Sequence, residues 1–347
     1  MKTILIIDDI INTKYLKNKY IDIFFLDSAS KEMKKFSDEI FGCTHSTIIA
    51  QILERNVKEK FKIINIALKK DIEKRIDIED LSMALERGLD CNVDVINLSI
   101  GSRKLSDIKY LEKVIKKIND KKIPLICSIS NSMDMTIPGS LEGCIGVVND
   151  FDNIYPSKKI FKVGKNVLGV DYLVNSSKLL NNEFYESSNS YSAAFISAAY
   201  LNPELFENKN TNPISLKTKK EINKHVPKIF FVNFDEYLDI INLFIEKYNM
   251  EAIGILIDMR EVLLFSVNEI KHYNIEDIED VIKAVICDVI LIFSSENKLK
   301  INSNDLIVIN NRDNIILKNG EGIVESIKWN LQKMIEIVIS KIKFLSK

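Results

Sequence analysis

The sequence predicts an α/β fold. A parallel sheet flanked by helices is expected over residues 1–200, followed in the chain by a second, smaller α/β domain. Short β-branched runs alternate with longer amphipathic stretches as far as Tyr200. The same alternation restarts at Lys228, after a polar interval that holds three of the chain's six prolines. With 347 residues and 46% apolar composition, there is material for a core in each part.

Strands are expected at Thr3–Ile7, Phe61–Ala67, Val93–Ser99, Ile123–Ser128 and Cys144–Val148, each a compact apolar run. Between them, helices are expected at about Thr47–Arg55, Ile78–Leu89 and Ser106–Lys121. Ile78–Leu89 puts Ile78, Leu81, Ala84, Leu85 and Leu89 on one face, with acidic residues at its start where the helix dipole favours anions. Leu201–Pro227 reads as a linker or a wrapping segment. From Lys228 the expected order is strand KIFFVN, helix Phe234–Tyr248 and strands AIGILI and EVLLFS. A helix at Ile275–Phe293, strands DLIVI and NIILK, and a long final helix from Glu321 complete the domain. That last helix would pack an Ile-rich face (Ile327, Leu331, Ile335, Ile339, Ile342) and leave Lys328, Lys333, Lys341, Lys343 and Lys347 solvated.

Lys plus Arg (48) balance Asp plus Glu (49), so the overall charge gives no reason to expect nucleic acid as a partner. Cys43, Cys91, Cys127, Cys144 and Cys287 are dispersed, without a CxxC pair. They read as reduced thiols, and with no secretory signal at the N-terminus the expected location is cytoplasmic. The run Ala284–Phe293 is interrupted by Asp288 and is too short for a membrane span.

Four segments carry chemistry, and their order matters most. ILIID ends a buried strand in Asp8; GCTHST places His45 at the start of an apolar helix. CSISN leads a strand to Asn131; SNSYSAA places Ser190 at the start of a helix of small residues. Serine acyl transfer uses one residue of each type. Ser190 would attack a carbonyl carbon, His45 would take and return its proton, and Asp8 would orient the imidazole. Asn131 Nδ2 and the Ser190 N–H would receive the oxyanion.

On these segments the chain resembles the subtilisin-like serine peptidases over nearly all of residues 1–200. The family order Asp, His, Asn, Ser is kept. IEDLSMALERGLDCNVDVINLSIG (Ile78–Gly101) looks like the family's helix and VINxSxG strand, and TIPGSLEGCIGVV (Thr136–Val148) like the segment after the oxyanion Asn. SNSYSAAFISA is similar to the family's Ser helix. The resemblance implies a serine endopeptidase acting on a peptide or protein substrate through an acyl-enzyme. Substrate would lie extended beside Val95–Ser102 and Leu125–Ser130, so Ser99, Gly101, Ser128 and Ser130 would touch it. No cofactor or metal is expected; the family's calcium sites have no assignable positions here. Nor is an inhibitory propeptide expected, because the Asp8 strand begins almost at Met1. A narrow substrate, such as a precursor peptide recognised partly by residues 228–347, would then restrain activity. The family's helices beyond the Ser helix are missing, so cover for the sheet falls to the C-terminal domain or to a homo-oligomer.

This chain departs from the family at Ser188 and Ser130 (both Gly there), at Ala194-Phe195 (Pro-His), at Ala198 (Gly) and at Asp9-Ile10 ([ST]-G). Cys43 and Ser46 also replace the common His and Gly. None of these changes removes a catalytic atom. Rival readings exist for several positions: Asp9 for Asp8 if the register slips, Ser192 for Ser190, and a thiol role for Cys43. Asp8-Asp9 also resembles the start of a response-regulator receiver, but the strand at Phe61–Ala67 ends without the Asp that fold needs. His225 and His272 have no comparable context and are expected on the surface. The contrasting function is a non-catalytic binding or scaffolding module with a closed cleft.

Overall fold

The computed structural model describes residues 1–27, 30–36, 40–68, 76–180, 187–206, 210–216, 226–258, 261–266, 269–294, 306–311, 314–319, 322–328 and 330–345. The chain divides into two compact units, Met1–Arg103 with Asp107–Lys219, and Lys104–Ser106 with Lys220–Lys347.

In chain order the first unit contains β1 (Lys2–Asp8), β2 (Ile21–Asp27), β3 (Glu32–Lys35), α1 (His45–Asn56), β4 (Phe61–Ala67), α2 (Ile78–Leu89) and β5 (Val95–Leu98). It continues with α3 (Ile108–Asp120), β6 (Leu125–Ser128), β7 (Ile145–Asn149), β8 (Ile160–Val163), β9 (Val170–Val174), α4 (Asn189–Leu201) and β10 (Asn210–Ile214). Among the described residues these form one sheet in the order β10-β8-β9-β7-β6-β5-β1-β4-β2-β3. The run from β9 to β2 is parallel throughout; β8 against β9 and β3 against β2 are antiparallel.

β1 lies in the middle, and Ile4–Ile7 are fully buried because helices cover both faces. Each such side chain contributes about 1.5–3 kcal/mol by leaving water. The two-residue alternation of a strand sorts them. Ile4 and Ile6 join the core built with Ile49, Ile52 and Leu53 of α1 and Ala194, Phe195 and Ala198 of α4. Leu5 meets α2 at Gly88, where a Cβ would lie 2.2 Å from a Leu5 methyl, so any larger residue there would have to displace the Leu5 side chain. α4 is buried nearly all round, and its Ala and Ser residues allow close contact with β5, β6, β7 and α1.

The predicted parallel strands are present, Phe61–Ala67 with the expected bounds and the others with ends shifted by one or two residues. The sequence reading missed the β2–β3 hairpin, β8 and β9. The interval expected as linker or wrapping segment contributes β10, which pairs with β8 at the sheet edge.

The second unit contains β11 (Lys228–Val232), α5 (Tyr237–Asn242, continued as a π-turn over Leu243–Lys247), β12 (Ala252–Asp258), β13 (Glu261–Phe265) and β14 (Glu269–Asn274). After these come α6 (Ile278–Ala284), β15 (Val289–Ser294), β16 (Leu306–Asn311), β17 (Asn314–Asn319), β18 (Gly322–Lys328) and α7 (Leu331–Leu345). Its sheet runs β14-β13-β12-β15-β11-β16-β17-β18, parallel at the centre and antiparallel toward both edges.

Two expectations are corrected here. The helix predicted at Ile275–Phe293 stops at Ala284, and Val289–Ser294 is a central strand between β12 and β11. A strand buried on both faces reads as an unbroken apolar run, which periodicity cannot separate from a buried helix. The final helix predicted from Glu321 begins only at Leu331, because Gly322–Lys328 pairs with β17; Ile327 is therefore a strand residue. Ile335 and Ile339 do form the buried face of α7. Lys347 and His225 lie outside the described residues.

Candidate active site

Because β1, β5 and β6 are parallel, their carboxyl ends open onto one edge of the sheet, where α/β proteins commonly place their ligands. Asp8 ends β1, Ser99–Gly101 follow β5, and Asn131 follows β6. The helices α1 and α4 begin nearby, with His45 and Ser190 in their first turns.

Asp8 shares the β1 face that carries Ile4 and Ile6, the face covered by α1. Its carboxylate is 2% exposed, and Oδ2 lies 2.5 Å from His45 Nδ1 while Oδ1 accepts the Asp9 N–H at 2.9 Å. A carboxylate only accepts, so Nδ1 carries a proton, and in the neutral imidazole the lone pair is then on Nε2. The imidazole is about one-third exposed.

Asp9 serves another purpose. Its carboxylate accepts the N–H groups of His45 (3.2 Å) and Ser46 (2.8 Å), and its carbonyl accepts the Ser46 hydroxyl at 2.7 Å. It therefore satisfies the orphan amides of the first turn of α1, together with the N-cap Thr44. Asn65 and Asn12 hold the surrounding loop: Asn65 Nδ2 donates to the Asp9 carbonyl, and Asn12 Nδ2 donates to the carbonyls of Ile40 and Gly42.

Ser190 is the second residue of α4, behind the N-cap Ser188. The ring of its neighbour Tyr191 lies 5.8 Å from the His45 ring, which brings the two helix starts together. The Ser190 hydroxyl has no hydrogen-bond partner among the described residues. Such bonds are often long or unmade before substrate arrives. Ser192, the rival hydroxyl, is fully buried and donates to the Val174 carbonyl at 2.9 Å. Cys43 packs against the core with its thiol toward the Thr44 carbonyl.

Asn131 is exposed, and its Oδ1 accepts the N–H of Asn189, the first residue of α4, at 3.1 Å. A backbone N–H can only donate, so the amide orientation is fixed and Nδ2 is turned outward as a donor. Asn189 itself, which the sequence reading passed over as part of a motif, is the clamp. It is fully buried; Nδ2 donates to the carbonyls of Ile129 and Ser130, and Oδ1 accepts the Asn149 N–H at 2.6 Å. A second buried amide, Asn97 on β5, donates to Ser197 of α4 at 2.9 Å. Asn97, set between Ile96 and Leu98, could have been marked from sequence as a polar residue inside an apolar strand; Asn189, between Ser188 and Ser190, carries no such signal.

Of the expected substrate contacts, Ser99 and Gly101 run beyond the end of the β5–β6 ladder at Leu98–Cys127. The side chain of Ser99 reaches Asn97 Oδ1 at 3.4 Å. Ser128 is buried at the end of β6. Ser130 gives its N–H to Thr136 Oγ1, and its carbonyl accepts from Asn189 and Met133, so both of its backbone groups are engaged within the protein. His272 is on β14 in the second unit. Among the described residues no group of His, Cys, Asp and Glu could hold a metal ion, and no helix is long and apolar enough to cross a membrane.

This is an α/β protein with a carboxylate–imidazole pair at the carboxyl edge of a parallel sheet. No protein-family model and no curated protein matches the chain. Solved structures similar to it include the prenylagaramide maturation protease PagA, 18% identical over 59% of this chain and 76% of that one, with a TM-score of 0.39. A lanthipeptide protease is 14% identical over 58% of this chain and 73% of that one, TM-score 0.40. The epidermin leader peptide processing serine protease EpiP from Staphylococcus aureus is 14% identical over 57% and 63%, TM-score 0.43.

Proposed function

We propose that the chain is a serine endopeptidase of the subtilisin-like type, hydrolysing peptide bonds through an acyl-enzyme on Ser190. The observation that carries this reading is the 2.5 Å contact between the buried Asp8 carboxylate and His45 Nδ1, which leaves Nε2 as a base beside the start of α4. Ser190 Oγ adds to the substrate carbonyl carbon as its proton passes to Nε2. The oxyanion takes the Ser190 N–H and Asn131 Nδ2. The imidazolium, stabilised by Asp8, gives the proton to the leaving amine, and the C–N bond breaks. Water then repeats the sequence on the ester, with His45 again accepting the proton, and releases the acid.

The proposed organisation is a peptidase domain over residues 1–200, a linker or wrapping segment over 201–227 and a C-terminal α/β domain over 228–347. The proposed setting is cytoplasmic, acting on a narrow substrate such as a precursor peptide. The names of the similar proteins, maturation and leader-peptide-processing proteases, are in keeping with that substrate class. A second reading, a non-catalytic binding module, is favoured by one observation: the Ser190 hydroxyl does not reach His45 as a hydrogen bond.

Fluorophosphonate labelling separates the two. Wild-type protein should be labelled, and labelling should vanish in Ser190→Ala and His45→Ala. A folded wild type that resists the probe would leave the binding-module reading in possession.

A further inference from the structure

We propose that the ring of Tyr191 stabilises the positive charge that His45 acquires, and so acts on the reaction through the base. The inference rests on the peptidase reading and adds a positioning residue to that same site.

Tyr191 is the third residue of α4, directly after Ser190. Its place is held twice. The N–H donates to Oγ of the N-cap Ser188 at 3.3 Å, and the side chain is partly buried against the core that α1 and α4 share. His45 is the first residue of α1, so each ring is carried by a helix start. The ring centroids are 5.8 Å apart and the planes are tilted by 31°. That separation lies inside the range, about 6 Å, over which an aromatic ring attracts a cation placed at its face.

The charged and titratable groups around His45 come from three places. Asp8, at the end of β1, meets Nδ1 at 2.5 Å. The Asp9 carboxylate, in the loop that follows, takes the His45 backbone N–H at 3.2 Å. Cys43, two residues ahead of His45, turns its thiol to the Thr44 carbonyl. Tyr191 adds to these the negative face of its ring, which favours the imidazolium over the neutral imidazole. The same ring displaces water, and that acts against the charge. About one-third of the imidazole stays exposed, so the loss of hydration is partial and the attraction outweighs it. At an exposed site of this kind the attraction moves a titration midpoint by about half a pH unit, roughly a threefold bias toward the charged form. The charge arises only as Ser190 gives up its proton. The ring therefore favours the step in which His45 works more than the state before it.

The test uses full-length protein. The chain has three histidines, so His45 is assigned in the imidazole carbon–proton NMR spectrum as the resonance lost in His45→Ala. Its titration midpoint should fall by about half a pH unit in Tyr191→Leu and stay within about 0.2 of wild type in Tyr191→Phe. The acid limb of the fluorophosphonate labelling rate should move down with it, because the proton-accepting form of His45 then persists to lower pH. A side chain that merely fills space predicts the opposite sign, since the smaller leucine admits water and raises the midpoint. If Tyr191→Leu fails to fold, Tyr191→Phe carrying ring fluorines keeps the shape while draining electron density from the ring. The midpoint should then fall step by step with each fluorine. An unchanged or raised midpoint in Tyr191→Leu, or a midpoint blind to fluorination, overturns the inference while the peptidase reading stands. A folded wild type that resists the probe removes the peptidase reading, and the NMR midpoints then still decide whether the ring stabilises the cation.

Discussion

Asp8 and Asp9 are adjacent, carry the same carboxylate and do opposite work. One holds an imidazole tautomer; the other closes the first turn of a helix. Replacing Asp8 by Asn would turn a donor toward Nδ1 and reverse the tautomer. Asp8→Asn should therefore lower turnover by roughly 10⁴-fold with little loss of stability. Asp9→Ala should cost about 1–2 kcal/mol of folding stability, the usual range for a lost helix cap, with a far smaller effect on turnover. Urea denaturation alongside peptidase assays of both variants would check the division. The candidate residues Asp8, His45, Asn131 and Ser190 were readable from sequence because acyl transfer demands fixed chemical types in a recognisable order. Asp8 was the expected partner of the imidazole with Asp9 as its rival, and the β1 register together with the start of α1 decides between them in favour of Asp8.

At the scale of elements, the Asn131 loop and α4 are joined through Asn189, whose side chain satisfies two carbonyls and one N–H from two strand ends. Asn131→Ala removes the outward donor and also the acceptor of the Asn189 N–H; it should slow turnover by about 100- to 1,000-fold and cost about 0.5–1.5 kcal/mol of stability. Asn189→Ala orphans buried backbone groups and should lower stability by about 1–3 kcal/mol or more in addition to slowing turnover. Thermal melts paired with steady-state kinetics would separate these outcomes. The central strands β1, β4, β5, β6 and β7 were legible because burial on both faces demands compact β-branched runs. β2 and β3 were missed because an edge hairpin mixes charged and apolar residues, and β15 because its apolar run carries no period that tells strand from helix. The last strand, β18, was absorbed into the helix that follows it, since GIVESIK alternates only weakly.

For the whole molecule, two sheets of different character divide the chain, one with a candidate site at its carboxyl edge and one with a mixed, helix-backed sheet. If the second unit reads the substrate, a chain ending at Lys219 should keep fluorophosphonate labelling and lose cleavage of its natural precursor. Mass spectrometry of digests made with the full and shortened chains would show this. A shortened chain that fails to fold would assign the second unit a purely structural part. The polar, proline-bearing character of the interval was visible in the sequence, whereas the strand that interval contributes was not.

The bond from the Asn189 N–H to Asn131 Oδ1 has a mechanical consequence. The Ser190 oxygen proposed to attack and the Asn131 amide proposed to receive the developing negative charge are anchored one residue apart along the same helix start. Breathing of the sheet, or a shift of α4 along its axis, would carry both together. The spacing most sensitive to error is therefore held by a local strut, and the exchange of glycine for serine at positions 130 and 188 could be absorbed around it.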